Sequence, residues 1–165
     1  RVFTVTTGMT ASPFDCWLAE RGMLSFDLRF ERAQSTAVQL AAHLSTLEGV
    51  RRVIYPGRAD HPDHARAASL LGQNHCNMVS FELNGVRAAA NAFTRAADGL
   101  SFAPTLGDVG TTISHPASSS HRALTEAARA ELGMSEGFFR ISVGLEDPQA
   151  LCDVFTQAVA AAVSA

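Results

Sequence analysis

Lysine is absent from this sequence of 165 residues, because all 13 of its basic residues are arginine. Chemistry that needs a lysine amine, such as a Schiff base to a carbonyl compound, therefore cannot be completed by this chain alone. The chain also lacks an excess of positive charge, since 16 acidic residues give it a net charge of −3. Without an overall positive field to attract a phosphate backbone, we expect no nucleic-acid partner.

Cysteines are few, and long hydrophobic runs are missing. The three cysteines, Cys16, Cys76 and Cys152, lie far apart, and their odd number does not fit a secreted disulfide framework. No apolar run reaches the roughly 20 residues of a membrane helix, and residues 1–4 show neither an initiator methionine nor a signal-peptide layout. We therefore expect a soluble, cytoplasmic protein with no membrane partner. A chain that begins on an arginine fits a fragment excised from a longer polypeptide, and a processed mature terminus would look the same.

The apolar content, 47% of the residues, is enough for one compact domain of ordinary size. Apolar spacing of three and four residues predicts helices, and alternating or β-branched runs predict strands. The predicted helices span about 13–21, 24–48, 62–71, 86–97, 125–132 and 148–163, and the predicted strands about 50–55, 78–83, 101–103 and 138–143. Helices interleaved with three or four strands indicate an open α/β sandwich.

The segment from Pro104 to His121 is predicted to be a long loop. It contains Gly107, Gly110 and Pro116 as chain breakers and is crowded with serine and threonine. Loops of this length are uncommon in compact domains and tend to be functional or disordered. Because the segment also contains apolar residues and two histidines, we expect an ordered loop that covers something.

Two groups of histidines are weak candidates for chemistry. His61 and His64 lie three residues apart at a predicted helix start, where they either face one metal ion or belong to a solvated helix N-terminus. His115 and His121 flank the serines at 118–120, but no G-x-S-x-G motif surrounds these serines, and loop polarity explains them as well. We predict no metal ligand and no serine nucleophile in this chain.

Arg140 is the strongest single candidate for a functional residue. It lies in the apolar stretch Phe138–Val143, where strand alternation puts Phe139, Ile141 and Val143 on one face and Arg140 on the other, with Phe138 and Ser142. An arginine in such a strand needs an anion. That anion is either an internal carboxylate, such as Asp108 or Glu146 in a structural ion pair, or the carboxylate of a ligand, which a guanidinium captures through two parallel hydrogen bonds.

Five short motifs run through nearly the whole chain. They are Ser12-Pro13-Phe14-Asp15 followed by Arg21-Gly22, Tyr55-Pro56-Gly57, Met78-Val79-Ser80-Phe81-Glu82-Leu83, His115-Pro116-Ala117-Ser118 and Arg140-Ile141-Ser142-Val143-Gly144-Leu145-Glu146-Asp147. In this order and spacing they resemble the C-terminal part of the trans-sulfuration (Cys/Met metabolism) family of pyridoxal-phosphate enzymes. That family includes cystathionine synthases and lyases, methionine γ-lyase and O-acetylhomoserine sulfhydrylase.

The resemblance implies which residues bind the substrate. In that family the arginine of the R-x-S-V-G-x-E-D stretch binds the α-carboxylate of the amino-acid substrate, and it falls on Arg140. The family's S-L-G segment, whose serine helps to hold the same carboxylate, falls on Thr105-Leu106-Gly107, with threonine in place of serine. The resemblance thus implies Arg140, Thr105 and Leu106 as substrate-binding residues, and no catalytic or cofactor-binding residue in this chain.

The resemblance also implies an architecture. The expected fold is α/β (α+β), with an open, mainly antiparallel sheet of three to four strands covered by helices, as in the small domain of fold-type-I pyridoxal-phosphate enzymes. Residues 1–165 are expected to form this single C-terminal domain, and the cofactor lysine is expected in a large domain upstream that this chain lacks. The parent protein is expected to be a homotetramer.

The function implied is that of a pyridoxal-phosphate-dependent carbon–sulfur lyase or transferase. Its substrates are expected to be sulfur-containing or O-acylated amino acids, which undergo elimination or replacement at the β or γ carbon. The fragment alone is expected to be inactive, because the cofactor lysine is not in it. The alternative is a stand-alone, non-catalytic α/β binding or assembly module, which the missing lysine also fits.

Overall fold

A mixed sheet of five strands organises the chain in a computed structural model, which describes residues 2–73, 75–85 and 87–165; Arg1, Asn74 and Val86 lie outside it. In chain order the strands are β1 (Val50–Ile54), β2 (Met78–Leu83), β3 (Ser101–Phe102), β4 (Thr112–Ser114) and β5 (Phe138–Ser142). Their order in the sheet is β1-β2-β5-β4-β3, and every pairing is antiparallel except β3 with β4. The mainly antiparallel α/β sheet expected from the sequence is confirmed.

The helices precede, connect and follow these strands. They are α1 (Val2–Thr7), α2 (Pro13–Met23), α3 (Phe26–Leu44), α4 (His64–Leu71), α5 (Arg87–Ala96), α6 (Glu126–Glu131) and α7 (Pro148–Val163). The predicted start of α2 at residue 13 is confirmed, and Ser12 caps the helix: its hydroxyl accepts the Asp15 N–H and the Asp15 carboxylate accepts the Ser12 N–H. Among the described residues, no helix is long and apolar enough to cross a membrane.

Alternation along the central strands separates a core face from a polar face. Val79, Phe81, Phe139 and Ile141 point into one buried cluster that also takes in side chains of α3, α5 and α7. On the opposite face Arg140 of β5 lies between its cross-strand partners, Ser80 of β2 and Ser114 of β4. The core therefore fixes β5 from one side and leaves the Arg140 side chain on the other.

The segment Pro104–His121 is not one long loop, and this part of the sequence prediction was wrong. It contains β4 and a short 3₁₀ helix over Pro116–Ser118, so the sheet has five strands where three to four were expected. A strand of three residues is too short to show a period of two in the sequence. Residues Thr112–Ser114 adopt the strand conformation because they pair with β5, and this pairing is a tertiary contact.

The N-terminal arm, residues 2–25, carries apolar side chains that the described chain does not cover. No residue of α2 is buried, and Phe14 stacks on Trp17, over which the Arg21 guanidinium lies. The apolar side chains exposed on the arm are Phe3, Val5, Met9, Phe14, Trp17, Leu18, Met23 and Leu24. An exposed apolar surface of this kind is typical of an interface with another domain or another protein.

Candidate functional site

Arg140 is half-buried, and within the described ranges of the chain it forms no ion pair with an acidic side chain. Its Nη2 donates to the carbonyl oxygen of Pro104 at 3.1 Å. The ion pairs found in the described part of the chain all belong to other arginines, namely Arg51, Arg52, Arg58, Arg87 and Arg129. Since a guanidinium carries five N–H donors, most of its hydrogen-bonding capacity remains for a ligand.

The structural ion pair considered for Arg140 does not form. The Glu146 carboxylate accepts hydrogen bonds from the backbone N–H of Thr111 and from the Thr111 hydroxyl, the latter at 2.7 Å. Asp108 accepts the N–H of Gly110 at 3.4 Å. Both carboxylates thus serve the loop between β3 and β4, and the interpretation that makes either of them the partner of Arg140 was wrong.

The other two predicted site residues lie on a segment attached to Arg140. Thr105 and Leu106 follow Pro104 directly, and both side chains are exposed, Leu106 to 62%. The Thr105 carbonyl accepts the Thr112 hydroxyl at 3.2 Å, and the N–H of Gly107 donates to the Ser142 hydroxyl at 2.9 Å. Thr105 and Leu106 therefore lie in a segment that is attached to β4 and β5 next to Arg140, although Arg140 is more than 30 residues further along the sequence.

Sequence reasoning missed the residues that hold this segment. The roles of Thr112 and Ser142 depend on β4 pairing with β5, where Thr112 lies opposite Ser142 and Ser114 opposite Arg140. The one available signal was that Ser142 lies two residues after Arg140 and hence on the same face of the strand. Nothing local marked Thr112, because β4 itself was not predicted.

The turn after β5 packs its backbone directly against the loop that precedes β4. The N–H of Gly144 donates to the Thr111 hydroxyl at 2.9 Å, and the N–H of Leu145 donates to the carbonyl of Val109 at 2.9 Å. A Cβ on Gly144 would lie 2.6 Å from the backbone nitrogen of Thr111 and would also overlap the Val109 oxygen. Only glycine permits this approach.

We expect Gly144→Ala to destabilise the 165-residue chain by about 1–3 kcal/mol, because the clash is with backbone that cannot rotate away. Urea unfolding followed by circular dichroism measures the change. Gly22→Ala in α2 is the matched control: a Cβ there meets nothing within 4 Å, and alanine favours a helix, so its stability should be unchanged or slightly raised. Equal unfolding midpoints for the two variants would contradict this account of Gly144.

His115 is a buried residue, directly after β4, whose ring takes part in a hydrogen-bond network. Its Nε2 donates to the carbonyl oxygen of Glu136 at 2.8 Å, so Nδ1 accepts the Ser118 hydroxyl at 2.7 Å. Burial lowers the pKa of His115, which keeps the ring neutral. Burial alone would raise the pKa of Glu136, but Arg129 and Arg87 beside it lower that pKa. Both nitrogens of His115 are thus engaged in structural bonds, while His121 pairs with Ser120.

His61 and His64 do not converge on a common point with other ligands. His61 Nδ1 accepts the backbone N–H of Asp63 at 3.1 Å, and His64 Nδ1 donates to the carbonyl of Pro56 at 2.9 Å. Within the described ranges, no group of three or more His, Cys, Asp or Glu residues could hold a metal ion. The two histidines therefore act in the local structure around the start of α4.

Tyr55 is hydrogen-bonded to the segment that precedes β2. Its hydroxyl donates to the carbonyl of Cys76 at 2.9 Å, and burial raises the pKa of Tyr55 to about 12, so it stays protonated as a donor. Cys76, whose carbonyl accepts this bond, has a φ of 65°, a conformation that non-glycine residues adopt uncommonly. This turn leads directly into β2, which pairs with β5.

Comparison with a protein-family model gives a match over residues 1–160, to the family described as Cys/Met metabolism PLP-dependent enzyme. The chain is 38% identical to O-succinylhomoserine sulfhydrylase of Pseudomonas aeruginosa, covering 88% of this chain and 36% of that protein. It is 35% identical to cystathionine gamma-lyase of Mus musculus, covering 94% of this chain and 39% of that protein. The chain therefore spans less than half the length of these relatives.

Solved structures show the same likeness in three dimensions. The chain superimposes on cystathionine gamma synthase from Xanthomonas oryzae pv. oryzae, solved in complex with cystathionine, with a TM-score of 0.83 and 37% identity. The match covers 94% of this chain and 40% of that one. Cystathionine gamma-lyase (CalE6) from Micromonospora echinospora gives a TM-score of 0.87 with 33% identity, covering 96% of this chain and 41% of that one.

Proposed function

The chain belongs to the Cys/Met metabolism PLP-dependent enzyme family, and on that premise we propose that it is the C-terminal, substrate-carboxylate-binding domain of a longer enzyme. That enzyme uses pyridoxal phosphate to act on sulfur-containing or O-acylated amino acids. Arg140 binds the α-carboxylate of the substrate, and the backbone or side chains of Thr105 and Leu106 complete the carboxylate site.

One observation supports this assignment above the others. The guanidinium of Arg140 is held at a defined position by the Pro104 carbonyl, and among the described residues no carboxylate neutralises it. A half-buried cation is costly without an anion, because its charge is partly removed from water. A carboxylate that arrives with the substrate satisfies this requirement, and a planar guanidinium binds it through two parallel hydrogen bonds.

The residues of this chain do not fit the cofactor itself. The chain has no lysine to attach pyridoxal phosphate, so the attachment lysine belongs to a part of the protein outside this sequence. When bound, the cofactor supplies an electron sink for the reaction at the substrate's α-carbon. What this chain offers, the cation at Arg140 and the exposed segment 104–107, suits the substrate's acid group instead.

The contribution of this chain to the reaction is orientation. A carboxylate gripped at two oxygens cannot rotate freely, so the bonds around the α-carbon are held in one direction relative to the rest of the active site. The relatives include a sulfhydrylase and a γ-lyase by name, so both replacement and elimination occur among them. We assign this protein to that group of reactions, at the β or γ carbon.

The surroundings of the domain follow from the same proposal. The apolar side chains exposed on the N-terminal arm pack against the large domain that carries the cofactor. The complete enzyme, as part of this proposal, is a cytoplasmic homotetramer. The chain by itself is inactive, because its residues include no lysine to hold the cofactor.

A non-catalytic module is the second candidate, and the absence of lysine is what favours it. The genomic reading frame distinguishes the two. A Ser-x-Thr-Lys-like stretch within a few tens of codons upstream of Arg1 supports the enzyme, whereas a start codon at that point supports the module.

The experiment that tests carboxylate recognition compares two substrates on the full-length protein that contains this chain. One is a sulfur-containing or O-acylated amino acid, and the other is its carboxamide, which has nearly the same shape but no negative charge. We expect kcat/KM to be at least about 100-fold lower for the carboxamide, mostly through KM, because a charge-paired contact is worth several kcal/mol. Equal kcat/KM values would reject the proposed function.

A further inference from the structure

Three side chains on one face of the sheet hold the backbone of the segment Pro104–Gly107. Arg140 donates to the Pro104 carbonyl at 3.1 Å, the Thr112 hydroxyl donates to the Thr105 carbonyl at 3.2 Å, and the Ser142 hydroxyl accepts the Gly107 N–H at 2.9 Å. The three come from the paired strands β4 and β5, so their spacing is fixed by the sheet. The segment is thus attached at both ends and once between them.

We propose that Ser142 and Thr112 are positioning residues for the carboxylate site. They hold the segment so that Thr105 and Leu106 stay beside the guanidinium of Arg140, although neither of them touches the substrate. This inference rests on the proposed function, since it names the residues that keep the proposed site in shape. It extends that function to two residues outside the substrate contacts.

Ser142 is built as a rigid anchor. Ser142 is only 2% exposed. The side-chain amide of Asn77 donates from Nδ2 to the Val143 carbonyl at 2.8 Å, and the same Nδ2 lies 3.5 Å from the Ser142 hydroxyl. The Val143 N–H in turn donates to the Asn77 carbonyl at 3.0 Å. Two hydrogen bonds between Asn77 and Val143 therefore fix the end of β5, so the Ser142 hydroxyl has a fixed position from which it binds the segment Pro104–Gly107.

The segment it holds has few other attachments. Thr105, Leu106 and Gly107 are all exposed, and Gly107 has a φ of 82°, where the chain changes direction. Because Gly107 is exposed, water can replace the Ser142 hydroxyl as the acceptor of its N–H. Loss of the hydroxyl should therefore cost little stability but release the segment from its fixed distance to β5.

Because loss of the Ser142 hydroxyl should change the position of the segment but not the stability of the fold, the proposal can be tested in the full-length enzyme. We expect Ser142→Ala to raise KM for the amino-acid substrate about 5- to 10-fold, because small misplacement of a positioning group weakens the contacts it organises. The KM for the matching carboxamide and the kcat for the amino acid should change less than about 3-fold. The carboxylate-to-carboxamide preference, measured by steady-state kinetics, therefore falls by the same 5- to 10-fold.

Ser135→Ala is the matched control. The Ser135 hydroxyl also accepts a glycine N–H, that of Gly137 at 3.2 Å, but at the opposite end of β5 from the site. Its loss should leave the carboxylate preference unchanged. Equal effects of Ser135→Ala and Ser142→Ala on that preference, or no effect of either, would overturn the inference.

Thr112 provides an independent test should Ser142→Ala fail to fold. Thr112→Val keeps the shape but removes the hydroxyl and should lower the carboxylate preference, whereas Thr112→Ser keeps the hydroxyl and should restore it. If both variants keep the wild-type preference, the inference is rejected. A failure of the proposed function gives a different result, because Arg140→Ala would then keep the carboxylate-to-carboxamide preference. If only the present inference is wrong, Arg140→Ala abolishes that preference, whereas Ser142→Ala and Thr112→Val keep it.

Discussion

Replacing Arg140 by alanine in the full-length protein is expected, on the proposed function, to lower kcat/KM for the amino-acid substrate by at least about 30-fold. Removing one partner of a hydrogen-bonded charge pair at a binding site costs about 2–5 kcal/mol, and each 1.36 kcal/mol is tenfold in rate. The loss should fall mainly on KM, since the carboxylate is bound both before and during the reaction. Steady-state kinetics against the amino acid and its carboxamide measures it.

The carboxamide separates loss of recognition from general damage. With that substrate Arg140→Ala should change kcat/KM less than about 3-fold, because the charge that Arg140 pairs with is already missing. Arg140→Lys should fall between the wild type and the alanine variant, since lysine keeps the charge but loses the planar fork. Arg66, exposed on α4, gives a surface control in Arg66→Ala, which should leave both substrates unaffected. An unchanged KM for the amino acid in Arg140→Ala would remove Arg140 from the site.

The largest loss of stability is expected from Phe139→Ala, at about 3–5 kcal/mol. Phe139 is fully buried beside Arg140 on β5, and its ring lies 5.4 Å from that of Phe81, 4.7 Å from Phe93 and 4.8 Å from His115. Alanine leaves a cavity among side chains that come from β2, α5 and the start of the 3₁₀ helix. These elements cannot move in to fill the cavity without distorting the sheet, so the loss of unfolding free energy should lie at the upper end of the range for a large-to-small substitution in a core.

Denaturant or thermal unfolding of the 165-residue chain measures this loss. For a chain of this size, about 3–5 kcal/mol corresponds to a fall in Tm of about 6–20 °C. The matched control is Phe102→Ala on the edge strand β3, where the side chain is 40% exposed and the cost should be under about 1.5 kcal/mol. If the two variants melt within 2 °C of each other, the central role of Phe139 in the core is refuted.

The elements that were predicted correctly are those whose core-facing residues recur at a regular spacing in the sequence. The predicted strand over 78–83 and the predicted helix over 148–163 match β2 and α7 in full. In β2, alternate residues face the core, and in α7 the apolar stripe recurs every three to four residues. The predicted start of α2 at residue 13 is likewise confirmed, because the cap formed by Ser12 depends only on residues up to Asp15, three positions away.

Helix ends and one short strand were not predicted correctly from the sequence. The helix predicted from residue 24 begins at Phe26 and ends at Leu44, and the helix predicted from residue 62 begins at His64, since helix ends depend on local geometry as well as on composition. β4 was missed entirely, because three residues carry no periodic signal and its pairing partner β5 lies more than 20 residues downstream. The predicted start of α5 at Val86 lies outside the described residues.

By itself, the sequence determined the alternation that places Arg140 on the polar face of β5, the α/β class, and the absence of a lysine in this chain. Only the tertiary structure decided what surrounds Arg140: Asp108 and Glu146 are engaged elsewhere, and the segment 104–107 is attached across β4 and β5. The physical reason is that side-chain direction follows from neighbouring residues along the chain, whereas the choice of partner depends on which strands pair. That pairing is set by burial of the whole core.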